Sequence, residues 1–385
     1  MIVRALALLF VLTCPAVAQD VARMVYLGVE GDPHYEPQPL YTGLSLRDRE
    51  RPLEGIRLGF RDTRVLGRAL GLTFELDEVI ASPETLSEAL TDAQTSQPLA
   101  ILIDLPPESM VQVLSATGTD DLFINIRDRS GRWRGKDCAP GLLHTPPSHA
   151  MLSDALAQYM RALGWTDVLL IHGTTDADAE QTAAARQSTT KFGLKIVDER
   201  AFELTNDPRL RDKSNIALLT GGVRYDVVWL IDDLGDFGRY LPFATYSPRP
   251  VIGSEGLVPR AWHWTFERYG APQLNQRFRR QADRDMTSED WAAWVAVKIV
   301  TEAVVQAQSA DRAAVHRALR GADLSVDLYK GVRGNLRDWD GQLRQPILLA
   351  TPNAVIAVAP VRGFEHQFDT LDTLGADRAD SACRR

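Results

Sequence analysis

Residues 53–79 read LEGIRLGFRDTRVLGRALGLTFELDEV, and the placement of their apolar side chains decides the fold class. Leu53, Ile56 and Phe60 recur at helical spacing, and the pattern runs to Leu70. Gly71 then supplies the left-handed conformation that commonly ends a helix. Leu72 to Val79 reads as a strand. A strand also precedes the helix, over Met24-Val-Tyr-Leu-Gly-Val29, and further units follow. Pro83-Glu84 opens a helix through Ala93, Leu99 to Ile103 is a strand, Glu108 to Ala116 a helix, and Leu122 to Ile126 a fourth strand. Strands that alternate with helices of this length predict parallel βα units, hence a doubly wound α/β sheet.

The pattern restarts after Pro146-Pro147-Ser148, where Ser148 is suited to cap the next helix. Leu152, Leu156, Tyr159, Met160 and Leu163 share one helical face that ends at Gly164. Strands are expected at Val168 to Ile171, Leu194 to Val197, Asp226 to Ile231 and Val251 to Gly253, with helices at Ala179 to Phe192 and Asn206 to Leu219. In a third section, Thr287-Ser-Glu-Asp290 caps a long helix, Trp291 to Gln308, that is apolar on nearly all faces and therefore buried. A further helix ends at Leu319, and residues 331–358 read as a small β element turning at Trp339-Asp-Gly341. The expected architecture is two doubly wound parallel-sheet lobes with several chain crossovers. Residues 19–143 with 257–320 form lobe 1, residues 144–256 with 321–360 form lobe 2, and residues 361–385 are a C-terminal tail. Ligands of doubly wound sheets bind beyond the carboxyl ends of the strands.

The N-terminus carries Arg4, an apolar run from Ala5 to Leu12, and Ala16-Val-Ala18. These are the three parts of a secretory signal peptide, and the run is too short for a membrane span. Cleavage after Ala18 is the expectation, with export to the periplasm; lipidation at Cys14 is disfavoured by the bulk of Thr13. The chain of 385 residues carries 43 basic and 51 acidic side chains, a formal net charge of −8. That balance gives no reason to expect nucleic acid or an anionic membrane as partner. Without residues 1–18, Cys138 and Cys383 are the cysteines left. An oxidising compartment permits a disulfide between them, the alternative being two free buried thiols.

Enzyme signatures are missing: there is no G-x-S-x-G, Walker A, C-x-x-C or H-E-x-x-H, and no G-x-G-x-x-G follows the first strand. The seven histidines are scattered without ligand spacing. No cofactor or metal is expected, and a secreted hydrolase with a dispersed site is the remaining enzymatic alternative.

Taken together, the export signal, paired lobes and buried third-section helix resemble the type I periplasmic binding proteins of ABC importers, in the branched-chain amino acid receptor class. The stretches that carry the resemblance are Gly253-Ser-Glu-Gly256, Phe266-x-x-Tyr269 leading to Phe278, and Gly331 to Gly341. More narrowly, Leu142 to Thr145, Ala261 to Trp264, Gly270 to Asn275, Leu343 to Leu348 and Leu371 to Gly375 followed by Cys383 resemble a subgroup associated with PQQ-dependent alcohol dehydrogenase systems. The resemblance implies a monomeric receptor that closes on a small solute, with an ABC permease as partner and a link to a periplasmic PQQ dehydrogenase system. A sensory or accessory binding protein that has lost transport is the alternative.

Receptors of this class hold a ligand carboxylate with hydroxyls and backbone amides of lobe-one loops. Here those loops read Asp104-Leu-Pro-Pro-Glu-Ser109 and Asn125-Ile-Arg-Asp-Arg-Ser130, acidic and poor in free amides. A leucine-type ligand is therefore in doubt. Asp104, Asn125 and Arg127 are candidate ligand residues, with Arg127 or Arg129 able to receive a carboxylate bidentately. Glu255 matches the family position that receives an ammonium group. Trp262 and Trp264 would form one side of a stacking wall or else hinge packing. Asp176, in Asp-Ala-Asp-Ala-Glu180, is a ligand-facing or cation-facing candidate against a plain helix start. Asp232, beside Asp233, ends a strand where a ligand loop should be, or is a solvated turn.

Overall fold

The computed structural model describes residues 20–37, 44, 49–116, 121–205 and 207–383. The expected signal peptide lies outside the described residues. The first half builds β1 (Asp20–Val29), α1 (Leu53–Leu70), β2 (Leu72–Ala81), α2 (Leu86–Thr95), β3 (Ala100–Asp104), α3 (Pro107–Ser115), β4 (Phe123–Asn125) and β5 (Leu142–His144). These strands make one parallel sheet in the order β2-β1-β3-β4-β5. Gly71 ends α1 in the left-handed region with φ 69°.

A second parallel sheet, β7-β6-β8-β9, comes from α4 (His149–Leu163), β6 (Asp167–His172), α5 (Asp176–Lys191), β7 (Lys195–Ala201), α6 (Ile216–Thr220), β8 (Val227–Ile231), α7 (Leu241–Ala244) and β9 (Val251–Gly253). Ser148 caps α4 by accepting from the Met151 N–H. The single helix expected over Asn206 to Leu219 is not formed. Asn206 lies outside the described residues, Pro208–Ser214 is a 3₁₀ helix, and the backbone restarts at Asn215, whose side chain accepts from the Leu218 N–H to begin α6. A side-chain acceptor in mid-run competes with helix continuation and wins here.

The chain then adds β10 (Val258–Arg260), α8 (Ala271–Ala282), α9 (Ser288–Ala307), α10 (Arg312–Arg320), β11 (Val326–Asp327), β12 (Arg333–Gly334), β13 (Ile347–Thr351) and β14 (Ala354–Ala359). Thr287 and Asp290 form a reciprocal capping box on α9. Strand alternation divides the first sheet. Met24, Tyr26, Leu102 and Ile124 pack with α9 on one face, and Val25, Leu27, Ile101 and Ile103 pack with α2 and α3 on the other. The antiparallel sheet β10-β13-β14 lies between the lobes. Its period of two sends Leu348 into the first core and Ile347 and Leu349 into the second.

Gly55 sets how closely α1 approaches α9. A Cβ there would lie 2.1 Å from the Asp290 carbonyl oxygen. Gly55→Ala is therefore expected to destabilise by about 1–3 kcal/mol, an overpacking cost read from the urea midpoint. A neutral result would show that α1 and α9 can separate freely.

Candidate functional site

The loops after β1, β3 and β4 bring charged side chains together, and Arg49, between β1 and α1, reaches Asp233 in the loop after β8. On the lobe-1 side the organising group is Asp104, the last residue of β3, which is fully buried. Tyr26 Oη and Tyr35 Oη each donate to its carboxylate at 2.7 Å. Arg127 Nη1 stands 3.4 Å from one oxygen and Arg51 Nη1 3.7 Å from the other. Arg127 also pairs with buried Asp32, and the Arg51 guanidinium lies over the Tyr35 ring at 4.6 Å. Burial pushes both tyrosine hydroxyls away from ionisation, with the Asp104 charge adding to the effect. Burial opposes the Arg127 charge, but Asp104, Tyr35 and Asp32 outweigh it and hold the guanidinium firmly cationic.

Asn125 builds the loop that carries Arg127. Its Oδ1 accepts from the Arg127 and Asp128 N–H groups at 3.1 and 2.8 Å, and its Nδ2 donates to the Asp128 carbonyl at 2.8 Å. The far end of this loop is closed by buried Arg134, which donates to Gln342 Oε1 and to the Ser130 and Pro146 carbonyls. Burial lowers the Arg134 pKa to about 10. Gln342 in turn donates to the His144 and Pro146 carbonyls at 3.3 and 3.0 Å, so the loop is anchored to the chain on both sides of Thr145.

Across the cleft, Arg49 Nη2 reaches Asp233 Oδ2 at 3.4 Å, and its Nη1 meets His34 Nδ1 at 3.2 Å. Arg129 pairs with Glu289, in the first turn of α9, at 2.6 Å. Burial resists ionisation of Glu289, yet the Arg129 charge, a backbone hydrogen bond and Arg260 together hold its carboxyl below the usual range. His149, at the start of α4, is depressed to about 4 by burial and by the Arg129 charge. His34 is likewise depressed to about 4, by burial and then by Arg127 and Arg49. Both imidazoles are thus neutral at pH 7. An unfolded histidine titrates near 6.5, so between pH 6.5 and about 4 the unfolded chain binds more protons than the fold. Their contribution to stability is complete above pH 6.5 and is lost as pH falls toward 4. His149→Gln is expected to flatten the fall in urea midpoint between pH 7 and 5; an unchanged slope would contradict it.

Of the residues singled out from sequence, Asp104 and Arg127 stand in one cluster, with Asn125 as its support. Asp232 is buried in the turn that follows β8. Its carboxylate accepts from the Gly235 and Gly238 N–H groups at 2.8 and 2.7 Å, so it shapes its own turn, and its neighbour Asp233 reaches Arg49. Asp176 is the exposed first residue of α5. Glu255 follows β9 and sits half-buried against Gly238. Trp262 and Trp264 do not share a side, because residues 261–264 form no strand and the expected alternation never applies. Trp262 is buried in the lobe-1 core, stacked on Trp291 at 6.1 Å with Nε1 donating to Asn275 at 2.8 Å. Trp264 is 40% exposed. The sequence reading missed His34, Arg49, His149 and Glu289. The length of the segment between β1 and α1, far beyond an ordinary βα loop, was the signal for the first two.

No protein-family model matches the chain, and none of the curated proteins matches it in sequence. Solved structures do match in fold. An amino acid ABC transporter substrate-binding protein from Pseudomonas fluorescens Pf-5 superimposes with TM-score 0.66 at 14% identity, covering 96% of this chain and 100% of that one. A solute-binding protein of an ABC transporter from R. palustris, in complex with benzoate, gives TM-score 0.65 at 13% identity over 95% and 100%. The leucine-, isoleucine-, valine-, threonine- and alanine-binding protein from Brucella ovis, in a closed conformation, gives 0.64 at 11% over 92% and 93%. The fold is that of the type I periplasmic binding proteins.

Proposed function

We propose that the protein is a periplasmic solute receptor that captures a small polar molecule between its lobes and presents it to an ABC permease. The observation that supports this reading is the meeting of Arg49, from the segment after β1 of the first sheet, with Asp233, from the loop after β8 of the second. The division into two discontinuous lobes and a tail, the export signal and the monomeric state belong to the same proposal. In it, Arg129, Glu289, Asp233 and the two neutral histidines supply ligand contacts, whereas the Asp104 cluster is a rigid floor. The stretches that resemble the PQQ-associated subgroup support a role beside periplasmic alcohol oxidation, which makes alcohol-derived acids and PQQ itself the first solutes to test.

Scanning fluorimetry against these solutes, benzoate and the common amino acids tests the reading. A solute bound only by the folded state stabilises it by about 2.7 kcal/mol at 100 times its dissociation constant. A panel in which nothing raises the melting temperature would overturn it. Co-purification with a periplasmic dehydrogenase and no permease subunit would instead favour the accessory role.

A further inference from the structure

A second surface lies away from the cleft, on the outer edge of lobe 1. α1 turns at Gly71 directly into β2, the edge strand of the first sheet, and a groove of about 640 Å³ runs in the angle between them. Gly67 permits the approach that forms its inner corner, since a Cβ there would lie 2.7 Å from the Leu72 carbonyl oxygen. Phe60, Phe74 and Leu76, all half-buried, line the groove with apolar surface.

Its wall is a row of arginines. Arg57, Arg61, Arg64 and Arg68 all line the groove, all are exposed, and their spacing of four, three and four residues places them on one stripe of the helix. At 1.5 Å per residue the row rises about 16 Å. Arg57 is neutralised by Glu78, at 2.8 and 2.9 Å, and by Glu54 at 2.6 Å. Among the described residues Arg61 reaches the Arg277 carbonyl, at 3.1 Å. Arg61, Arg64 and Arg68 have no carboxylate partner among the described residues. Three unpaired guanidinium groups on 8 residues of helix, in a chain with a net charge of −8, form a local field opposite to that of the whole molecule.

We propose that this groove docks an acidic segment of a partner protein, whose carboxylates pair with Arg61, Arg64 and Arg68 while an apolar side chain settles on Phe60 and Phe74. Charge complementarity selects that occupant. A second copy docked groove to groove would set two arginine rows against each other. A flat anionic bilayer would meet the flanking carboxylates Glu54, Asp62 and Glu78 as well as the arginines, and it cannot enter a concave site. The proposal is independent of the cleft's solute.

The test uses the full mature protein and a fluorescein-labelled 14-residue peptide with glutamates at i, i+4 and i+7 and leucine or phenylalanine between them, read by fluorescence anisotropy. Binding is expected to weaken steeply with salt and to fall at least tenfold in R61E/R64E/R68E. It should persist in R209E/R317E/R320E, which makes the same charge change at exposed sites elsewhere. Phe74→Ala should weaken it with little change in salt dependence. Circular dichroism and melting temperature establish that each variant is folded, and R61A/R64A/R68A repeats the measurement should the reversal not fold. Equal loss in both triple variants, no peptide binding, or arginine-dependent binding of phosphatidylglycerol vesicles in place of the peptide would each overturn the proposal.

Discussion

Replacement of Arg127 by methionine is expected to cost about 3–5 kcal/mol of unfolding free energy, the penalty for removing one partner from a buried ion pair. The cost resides in what is left behind. Asp32 and Asp104 are both buried, and Arg127 Nη1 serves them both. Without it Asp104 keeps two tyrosine hydroxyls and a more distant Arg51, but Asp32 keeps only the backbone N–H of His34 at 3.0 Å among its described hydrogen bonds. Adding Asp32→Asn should therefore recover part of the loss, because the stranded charge goes with it. Urea unfolding followed by tryptophan fluorescence reads both variants. A single-variant cost below about 1 kcal/mol, in the range of exposed pairs, would mean that water reaches the cluster.

The second large effect is expected at the C-terminal tail. Cys383 is disulfide-bonded to Cys138, 245 residues earlier. Along its course the tail is fastened to the second lobe. The Asp154 carboxylate accepts from the Gly375 N–H at 2.7 Å, Lys191 donates to the Thr373 and Gly375 carbonyls at 2.9 Å, and Gln158 meets Thr373. At the hinge, Asp372 receives Arg337 and Arg344, each at 2.8 Å. Cys138 itself lies between β4 and β5, so the strap ends on lobe 1. Removing a native disulfide costs about 2–5 kcal/mol, and a loop this long has a nominal entropic ceiling of about 5. Cys383→Ser should fall within that range, and Cys138→Ser/Cys383→Ser should lose no more than the single variant. Dithiothreitol should lower the wild-type urea midpoint without affecting the variants. Agreement of wild type and variant under oxidising conditions to within about 0.5 kcal/mol would show that the polar anchors alone secure the tail.

The fold was legible wherever local chemistry and periodicity coincide. Leu53 to Leu70 is the helix expected, because its apolar spacing and Gly71 agree. Val251 to Gly253 is the strand expected, and Thr287 caps α9 as its sequence suggests. Legibility ends where a polar side chain captures the backbone inside an otherwise helical run: Asn215 accepts from the Leu218 N–H and divides the helix expected before Leu219. The candidate site was half legible for the same reason. Asp104 ends β3 and Arg127 lies two residues beyond the neighbouring β4, so sheet topology brings them together. Arg49 and Asp233 meet only because two lobes fold toward each other, and no spacing in the chain encodes a contact over 184 residues. Trp262 was open between a stacking wall and packing, and it is packed, its indole N–H donating to Asn275.

Interlobe distance tests the receptor account most directly. Spin labels on cysteines at Val111, exposed on α3, and Leu218, exposed on α6, report on opposite lobes, and Cys138 and Cys383 are already bonded to each other. Electron–electron resonance should show a broad distribution in the free protein, collapsing to one shorter distance with each solute that raises the melting temperature. An unchanged distribution with every such solute would contradict a receptor that works by closure.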